Sequence, residues 1–589
     1  MRRLFLSFPV ALLLLGGAPT SARVSHASRL ATHSSHKIGV VSAADPRAAA
    51  AGVEILRRGG SATDAAIATM LALNVVEPQN SGIGGGGFFI RSDGRAGRLA
   101  SIDGRETAPA AAGPNWFMGP DGKPLPPRQM YVGGKSAGVP GALAMMALAH
   151  KRYGRLPWAA LFQPAIRLAR DGFTVSSRMH NGLKLYGQHI RGWARQAYFG
   201  PDGNAVAEGA LLRVPALADT LQRIAREGVG PFYRGATPKK IADALDSAEL
   251  NPSKMTAADV SNYKAKERPE VCETYRGYRI CGGGPPAGGI VVLMILKQLE
   301  RFDMAKLGRK SPVAWHLLAE SERVAYADRD TYLGDPDFVS IPVRGLLDPA
   351  YLAKRSALIR PNRTLADVEP GMPPGAPPRV RPPFKNDPGT SDLAVVDGKG
   401  DVVEVTTTIN GYFGSGVAVD GFMINNELPD FDQVPVKNGY LVANRVEGGK
   451  RPRSSMSPII VYGPDGKVRA ALGAAGGATI ICQVAKALIG IIDWKMSLQD
   501  AIAMGLIYAP GKTATLEQGT ELEAMLPALQ ALGENVKIAP LGLKANGIEQ
   551  VGGRWIGAAD PRSEGVAMDT AGHVSIIQRR ANELNGAHE

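Results

Sequence analysis

The chain has 589 residues, enough for several domains or one large layered domain, and its 44% hydrophobic content is ordinary for a globular protein. Its net charge is +14, yet the basic residues are scattered, with Lys450-Arg451-Pro452-Arg453 the densest group, and aromatics are only 6%. A nucleic-acid reader would gather its cations into a stripe among aromatics, so the charge reads as a solvated basic surface, compatible with an acidic small-molecule substrate.

The chain opens with Arg2-Arg3, an apolar run from Leu4 to Leu15 and small residues up to Ala22. Residues 1–22 therefore read as a secretory signal peptide, and export to a periplasm or beyond is expected. The apolar run is too short to span a bilayer, and no Cys follows the cleavage site to carry a lipid anchor. Arg23 to Lys37 reads as a polar leader. Asp45 and Pro46 then suit the start of a helix running to Arg58, which Gly59-Gly60 stops. Ser61 can cap a second helix running to about Val76. Gly82-Ile-Gly-Gly-Gly-Gly87 matches the dinucleotide glycine pattern, but a helix precedes it and the strand-like Phe88-Phe89-Ile90 follows, the reverse of that fingerprint. Close backbone packing explains it better. Gly134-Lys-Ser-Ala-Gly138 matches the nucleophile-elbow pattern, with His573 as a distant base, but Val132-Gly-Gly is a poor strand and Pro140 spoils the following helix.

Pro157 to Ala169, Val214 to Glu227, Gly288 to Phe302 and Val313 to Asp328 read as helices. Cys272 to Cys281 reads as a hairpin turning at Arg276-Gly277, which sets the two cysteines opposite each other; an exported chain permits a disulfide there, and two reduced core thiols are the alternative. Cys482, in an apolar run, reads as a buried hydrophobe, and three cysteines without a nearby His make no metal site.

Nine prolines fall between Pro361 and Pro388, and Gly389 closes that segment. Thr390 to Thr408 then reads as a hairpin rich in Val and Thr, turning at Gly398-Lys399-Gly400. If Asp397 pairs with Asp401, the register sets Thr408 opposite Thr390. A Thr that becomes a new chain terminus carries a nucleophilic hydroxyl and an amine on one residue. None of the nine histidines lies between Thr390 and Gly477, so a Ser-His or Cys-His mechanism confined to that stretch is excluded, whereas a nucleophile that brings its own amine needs no His. Gly473 to Gly477 offers unobstructed N–H groups that suit an oxyanion hole or a plain turn, and Ser454-Ser455 can bind a carboxylate or cap a turn. Ser457 to Tyr462 and Val468 to Leu472 read as strands about the turn Gly463 to Gly466, and Thr479 to Ile491 as an apolar helix. Mixed strands and helices throughout fit a layered α/β or α+β domain.

Several segments together resemble the gamma-glutamyltransferase (glutathione hydrolase) family of the N-terminal-nucleophile class. They include Gly59 to Ala66, Asn74 to Pro78, Ser81 to Gly87, Asp103-Gly-Arg-Glu-Thr-Ala-Pro109, Thr390-Ser391, Asn425 to Phe431, Arg451 to Pro458, Gly476-Gly477 and Gly557 to Arg562. The resemblance covers nearly everything after the leader. It implies an α+β fold, a four-layer αββα sandwich made of two chains from one precursor: a large chain of residues 23–389, with its Pro-rich segment 361–388, and a small catalytic chain of residues 390–589. It implies self-cleavage at Gly389–Thr390, Thr390 as nucleophile and Thr408 as its hydrogen-bond partner. It also implies Gly476 and Gly477 as the oxyanion hole, Arg105, Ser454 and Ser455 on the substrate α-carboxylate, and Asn410, Glu427 and Asp430 on its α-ammonium. The implied reaction moves a γ-glutamyl group from glutathione to water or to amino acids and peptides, with no cofactor or metal. The implied partners are these small molecules and the two chains for each other, without nucleic acid or membrane anchor.

Two departures stand out. The family usually has His two places after the nucleophile, where this chain has Asp392, and the span from Asp430 to Ser454 is a few residues shorter than in lidded members. The shorter span leaves room for a cephalosporin-acylase-like relative, and a non-maturing exported binding protein is a further alternative; Arg105, Asn410 and Asp430 favour a γ-glutamyl substrate.

Overall fold

The structure is a computed structural model that describes residues 38–94, 97–365, 367–382 and 389–575, all within one compact unit. The signal peptide and leader read in residues 1–37 lie outside the described residues. The first helix is Pro46–Arg57, and Asp45 caps it by accepting from the Arg47 N–H at 2.8 Å. Ser61 and Asp64 form a reciprocal capping box that starts Ala62–Val76. The other expected helices form as Trp158–Asp171, Pro215–Glu227, Gly289–Leu299, Pro312–Tyr332 and Ile480–Ile492. Among the described residues no helix is long and apolar enough to cross a membrane.

Two antiparallel sheets organise the chain. The larger runs in space through Val574–Ser575, Val566–Asp569, Val40–Ala43, Ser391–Val396, Val402–Thr408, Gly86–Ser92, Leu99–Asp103 and Lys266–Arg268. The smaller runs through Arg554–Ala559, Lys544–Val551, Val468–Ala475, Ile459–Tyr462, Tyr278–Gly283 and Glu270–Tyr275. Successive strand residues face opposite sides, and the core clusters follow that alternation. Ala394, Val396 and Val402 of the larger sheet share one core with Ile460, Ala471 and Ile548 of the smaller. Leu393, Val395, Val403 and Val405, on the opposite face, pack with the helices Pro46–Arg57 and Ala62–Val76. Ile459, Val461 and Leu472, on the far face of the smaller sheet, pack with Gly289–Leu299, Pro312–Tyr332 and Ile480–Ile492. The fold is mixed α+β, as expected.

Each sheet draws strands from both sides of Gly389. The larger takes four from before it and four from after; the smaller takes two and four.

The cysteine hairpin forms in the expected register, Cys272 opposite Cys281 with Cα atoms 4.1 Å apart, and the pair is disulfide-bonded. Arg276 and Gly277 take φ of 51° and 83°, the left-handed pair that a two-residue hairpin turn requires. Cys482 is a buried free thiol.

Candidate active site

The site begins at the hairpin Ser391–Val396/Val402–Thr408, central in the larger sheet. Val402 pairs with Val396 and Thr407 with Ser391, and the Asp397 N–H donates to the Asp401 carbonyl. One further step in that register sets Thr390 against Thr408, and their hydroxyls lie 3.4 Å apart. The Thr408 hydroxyl accepts from the Asn410 N–H at 2.7 Å, which fixes its orientation. The Thr390 hydroxyl also contacts the carbonyl oxygen of Gly389, on the peptide bond before it. Gly389 has φ +122°, and a Cβ there would sit 1.7 Å from the Asn410 carbonyl oxygen, so only glycine fits.

The glycine run 82–87 lets other backbone approach this hairpin. A Cβ on Gly85 would meet the Thr408 carbonyl at 2.0 Å, and one on Gly87 the Thr406 carbonyl at 2.5 Å. The run serves packing, as its helix-before-strand order implies.

Gly389, Thr390, Thr408 and Asn410 line one pocket together with Arg105, Glu427 and Asp430, and Ser454, Ser455 and Gly477 complete its wall. Of the expected site residues, only Gly476 does not line it. Gly476 and Gly477 take φ of 126° and 60°, and the turn they make leads into the helix Ile480–Ile492. Arg105 is fully buried and bonds Glu427 through Nη1 and Asp430 through Nη2. Its Nε donates to the Pro452 carbonyl at 3.3 Å and Nη2 also to that of Arg453 at 3.1 Å. Asn410 Nδ2 donates to the Asn426 carbonyl at 3.0 Å and to Asp430 Oδ1 at 3.2 Å.

Several acids crowd this guanidinium. Burial pushes the Glu427 carboxyl well above its usual range against the pull of Arg105, and Glu106 and Asp430 push the same way. Burial likewise pushes Glu106 up to about 7, partly offset by Arg105. Burial opposes the charge on Arg105, but Glu427, Asp430 and Glu106 more than offset it and hold its pKa above the ordinary value. The pocket thus offers a held cation beside carboxyl groups, the arrangement that complements a zwitterion.

Asp392 does not enter this pocket. It is fully buried between the sheets, where Oδ1 accepts from the Thr406 hydroxyl at 2.8 Å and a Cβ on Gly473 would lie 2.3 Å away. Glu404, on the neighbouring strand, reaches the same point of Gly473. The segment after Asp430 carries a small hairpin, Val436–Lys437 with Tyr440–Leu441, and Lys437 Nζ donates to the Arg381 carbonyl at 2.8 Å.

Ser136 is not a nucleophile elbow. It ends a short turn, Gly134–Ser136, is fully buried, and spends its hydroxyl on the Gly133 carbonyl at 2.7 Å. His573 pairs with Asp569 at 2.8 Å. His316, Glu320 and Glu534 cluster tightly enough to hold a metal ion, yet Arg323 contacts both carboxylates, so a cation is already in place.

Sequence reasoning missed three pocket-lining charges, Arg329, Asp432 and Arg453, and the apolar Met456, Ala478 and Ile480. Arg329 lies in Asp328-Arg329-Asp330, three charges in a row that are all buried on the helix Pro312–Tyr332. That triplet was the available signal, but a weak one, because the same helix also carries Glu320, Glu322 and Arg323.

A mixed α+β fold with two packed sheets and Thr390 just before the central strand Ser391–Val396 fits the class of N-terminal-nucleophile hydrolases. The family profile of gamma-glutamyltranspeptidase matches residues 48–570. The glutathione hydrolase proenzyme of Escherichia coli (strain K12) is 37% identical over 543 residues, covering 90% of this chain and 91% of that protein. The acylase ACY 1 proenzyme of Pseudomonas sp. (strain SE83) is 34% identical over 549 residues, covering 91% and 94%. The crystal structure of cephalosporin acylase from Bacillus halodurans matches with a TM-score of 0.79 at 26% identity, over 92% of this chain and 96% of that one. The chain belongs to the gamma-glutamyltranspeptidase family and is an enzyme of that family.

Proposed function

We propose that this enzyme processes itself and then cleaves the γ-glutamyl amide bond of glutathione and related compounds, passing the γ-glutamyl group to water or to an amino acid or peptide amine. The observation that carries the reading is Arg105 held between Glu427 and Asp430 in the pocket that Thr390 and Thr408 line. A γ-glutamyl group presents an α-carboxylate and an α-ammonium side by side. Arg105, Ser454 and Ser455 take the first, and Asn410, Glu427 and Asp430 the second.

Maturation starts when Thr390 Oγ attacks the Gly389 carbonyl carbon. The peptide nitrogen leaves as the Thr390 amine, an ester remains, and water opens it to free the Gly389 carboxylate. The new amine, with a reference pKa of about 7.7–8.0, accepts the hydroxyl proton in the next attack. Nucleophile and base on one residue need no assembly. Thr408 holds the hydroxyl, and N–H groups of Gly476 and Gly477 stabilise the tetrahedral oxyanion. The amine of the leaving group takes the proton, and water or an acceptor amine then releases the acyl group from Thr390.

The finer architecture belongs to the same reading: helices, two sheets and helices as a four-layer αββα sandwich, divided into a large chain of residues 23–389 and a small chain of residues 390–589. The basic and apolar start of the chain supports export to the periplasm or beyond. The similar proteins named as proenzymes support processing.

N-terminal sequencing of the mature small fragment should begin at Thr390, and Thr390→Ala should yield one uncut, inactive chain. Normal cleavage in that variant rejects the reading. Because acylases are nearly as similar as glutathione hydrolases, glutathione should be compared with glutaryl and adipyl amides, which lack the α-ammonium. Preference for glutaryl or adipyl amides selects the acylase reading, and one intact wild-type chain without turnover selects a binding homologue.

A further inference from the structure

Arg329 lines the active-site pocket from the helix Pro312–Tyr332 and is buried, only 7% exposed. Its Nη2 donates to the Ser455 hydroxyl oxygen at 2.7 Å, and its Nη1 to Asp330 Oδ1 at 2.9 Å. The Asp330 carboxylate therefore aims the planar guanidinium, which cannot release a proton at any ordinary pH. A hydroxyl that accepts a charged N–H on one side must turn its own hydrogen elsewhere. Arg329 approaches Ser455 from the helix, so the hydroxyl hydrogen is left for the pocket.

Ser454 is set the same way: its Oγ accepts from the Met456 N–H at 3.1 Å. The neighbouring Arg453 reaches back to the same helix, with Nη1 donating to the Asp330 carbonyl at 3.1 Å. The helix thus grips the serine segment at two points, and a carboxylate arriving at the pocket meets two hydroxyls already committed as donors.

We propose that Arg329 is a positioning residue for the carboxylate subsite: it fixes Ser455 as a hydrogen-bond donor, and so favours substrates that carry a carboxylate beside the scissile acyl chain. The proposal rests on the γ-glutamyl reading of the pocket.

A double-mutant cycle tests it with wild type, Arg329→Met, Ser455→Ala and the double variant, alongside Arg329→Lys. Maturation is scored on gels. KM and kcat are measured with a γ-glutamyl anilide and with 4-aminobutyryl anilide, which is the same acyl chain without its α-carboxylate. Arg329→Met should raise KM for the γ-glutamyl anilide about tenfold or more with kcat changed less than about threefold. It should add less than about twofold when Ser455 is already Ala, and change the 4-aminobutyryl anilide less than about twofold. Arg329→Lys, which keeps a donor for Ser455, should stay within about threefold of wild type in KM. Equal losses with and without Ser455, or on both substrates, overturn the proposal. If methionine blocks maturation, the lysine variant decides: a KM as high as that of Ser455→Ala overturns it. A wild type idle on the γ-glutamyl anilide overturns the parent reading and this proposal with it, whereas an active wild type with uncoupled losses overturns this proposal alone.

Discussion

Replacing Glu404 by Gln should make the enzyme's stability less sensitive to alkali. Glu404 and Asp392 meet between the sheets, on adjacent strands and against Gly473, both fully buried. Burial and the neighbouring Asp392 push the Glu404 carboxyl well above its usual range. Burial likewise raises Asp392, to about 7, against hydrogen bonds from Glu404 and Thr406 and the nearby Lys544. Two carboxyls in hydrogen-bond contact need a proton between them, and the folded protein keeps it on Glu404 while the unfolded chain loses it near pH 4.3. The raised folded pKa stabilises the protein fully below that unfolded value, and the benefit is lost as pH rises toward the folded one. The slope approaches about 1.36 kcal/mol per pH unit while the folded group holds a proton that the unfolded chain has lost. With about 2.1 cal/mol/K of unfolding entropy per residue, a chain of this size has about 1.2 kcal/mol/K, and the effect is about 1 °C in Tm per pH unit. The Gln amide keeps the donor to Asp392 and has no proton to lose. Scanning calorimetry across pH 5–7 should show the Tm of Glu404→Gln gaining about 1 °C per pH unit on wild type. Parallel Tm curves for the two proteins would refute the reasoning.

Arg105→Ala should raise KM for a γ-glutamyl anilide by the equivalent of about 2–4 kcal/mol and also lower Tm, because it strands Glu427 and Asp430 without their cation; an unchanged KM in matured protein would remove Arg105 from the subsite. Gly389→Ala should accumulate uncut chain on gels, since its Cβ would overlap the Asn410 carbonyl at 1.7 Å and disturb the contact with the Thr390 hydroxyl; wild-type processing would show that this fit is not required. His316 bonds Glu534 Oε1 through Nδ1 at 2.7 Å and the Arg360 carbonyl through Nε2 at 2.8 Å, and those bonds raise its pKa against burial. Its stabilisation is present below an unfolded value of about 6.5 and is lost as pH rises through the folded one, so His316→Gln should cost about 1–3 kcal/mol more at pH 6 than at pH 9 in denaturant melts. An equal cost at both pH values would mean that the imidazole is neutral in the fold.

Local signals carried much of the architecture. Asp45 with Pro46, and Ser61 with Asp64, announce their helices because caps act within one turn. The hairpin from Thr390 to Thr408 is legible because a three-residue glycine turn and one pair, Asp397 with Asp401, determine every later pairing up to Thr390 and Thr408. The cysteine hairpin follows from the same arithmetic. The pocket's assembly was not legible in that way. Arg105, the Glu427–Asp430 turn and the Arg453–Ser455 segment are more than three hundred residues apart at their extremes, and only resemblance grouped them. Arg329 stayed hidden because Pro312–Tyr332 is buried on every side from Ala314 onward, so no periodic stripe marks the part that meets the pocket. Asp392 shares Thr390's face of the hairpin, since residues two apart point the same way, but it lies one step further in, under the second sheet and in the inter-sheet core, a depth that the spacing alone does not give.

The interleaving of the two sheets means that the proposed cut at Gly389–Thr390 would leave both of them intact. Val40–Ala43 lies beside Ser391–Val396, and Gly86–Ser92 beside Val402–Thr408, so the hairpin that follows Thr390 is flanked on both sides by strands from before Gly389. Tyr278–Gly283 pairs with Ile459–Tyr462 in the other sheet. Breaking the Gly389–Thr390 bond removes none of these ladders or the core between them, so the folded form has no reason to dissociate. A cut there would add an amine to Thr390 and a carboxylate to Gly389. In the uncut chain Gly389 occupies the pocket wall beside the Thr390 hydroxyl. The fold thus seats the Gly389 carbonyl against the Thr390 hydroxyl with Thr408 beside them, which is the arrangement the proposed self-cleavage needs.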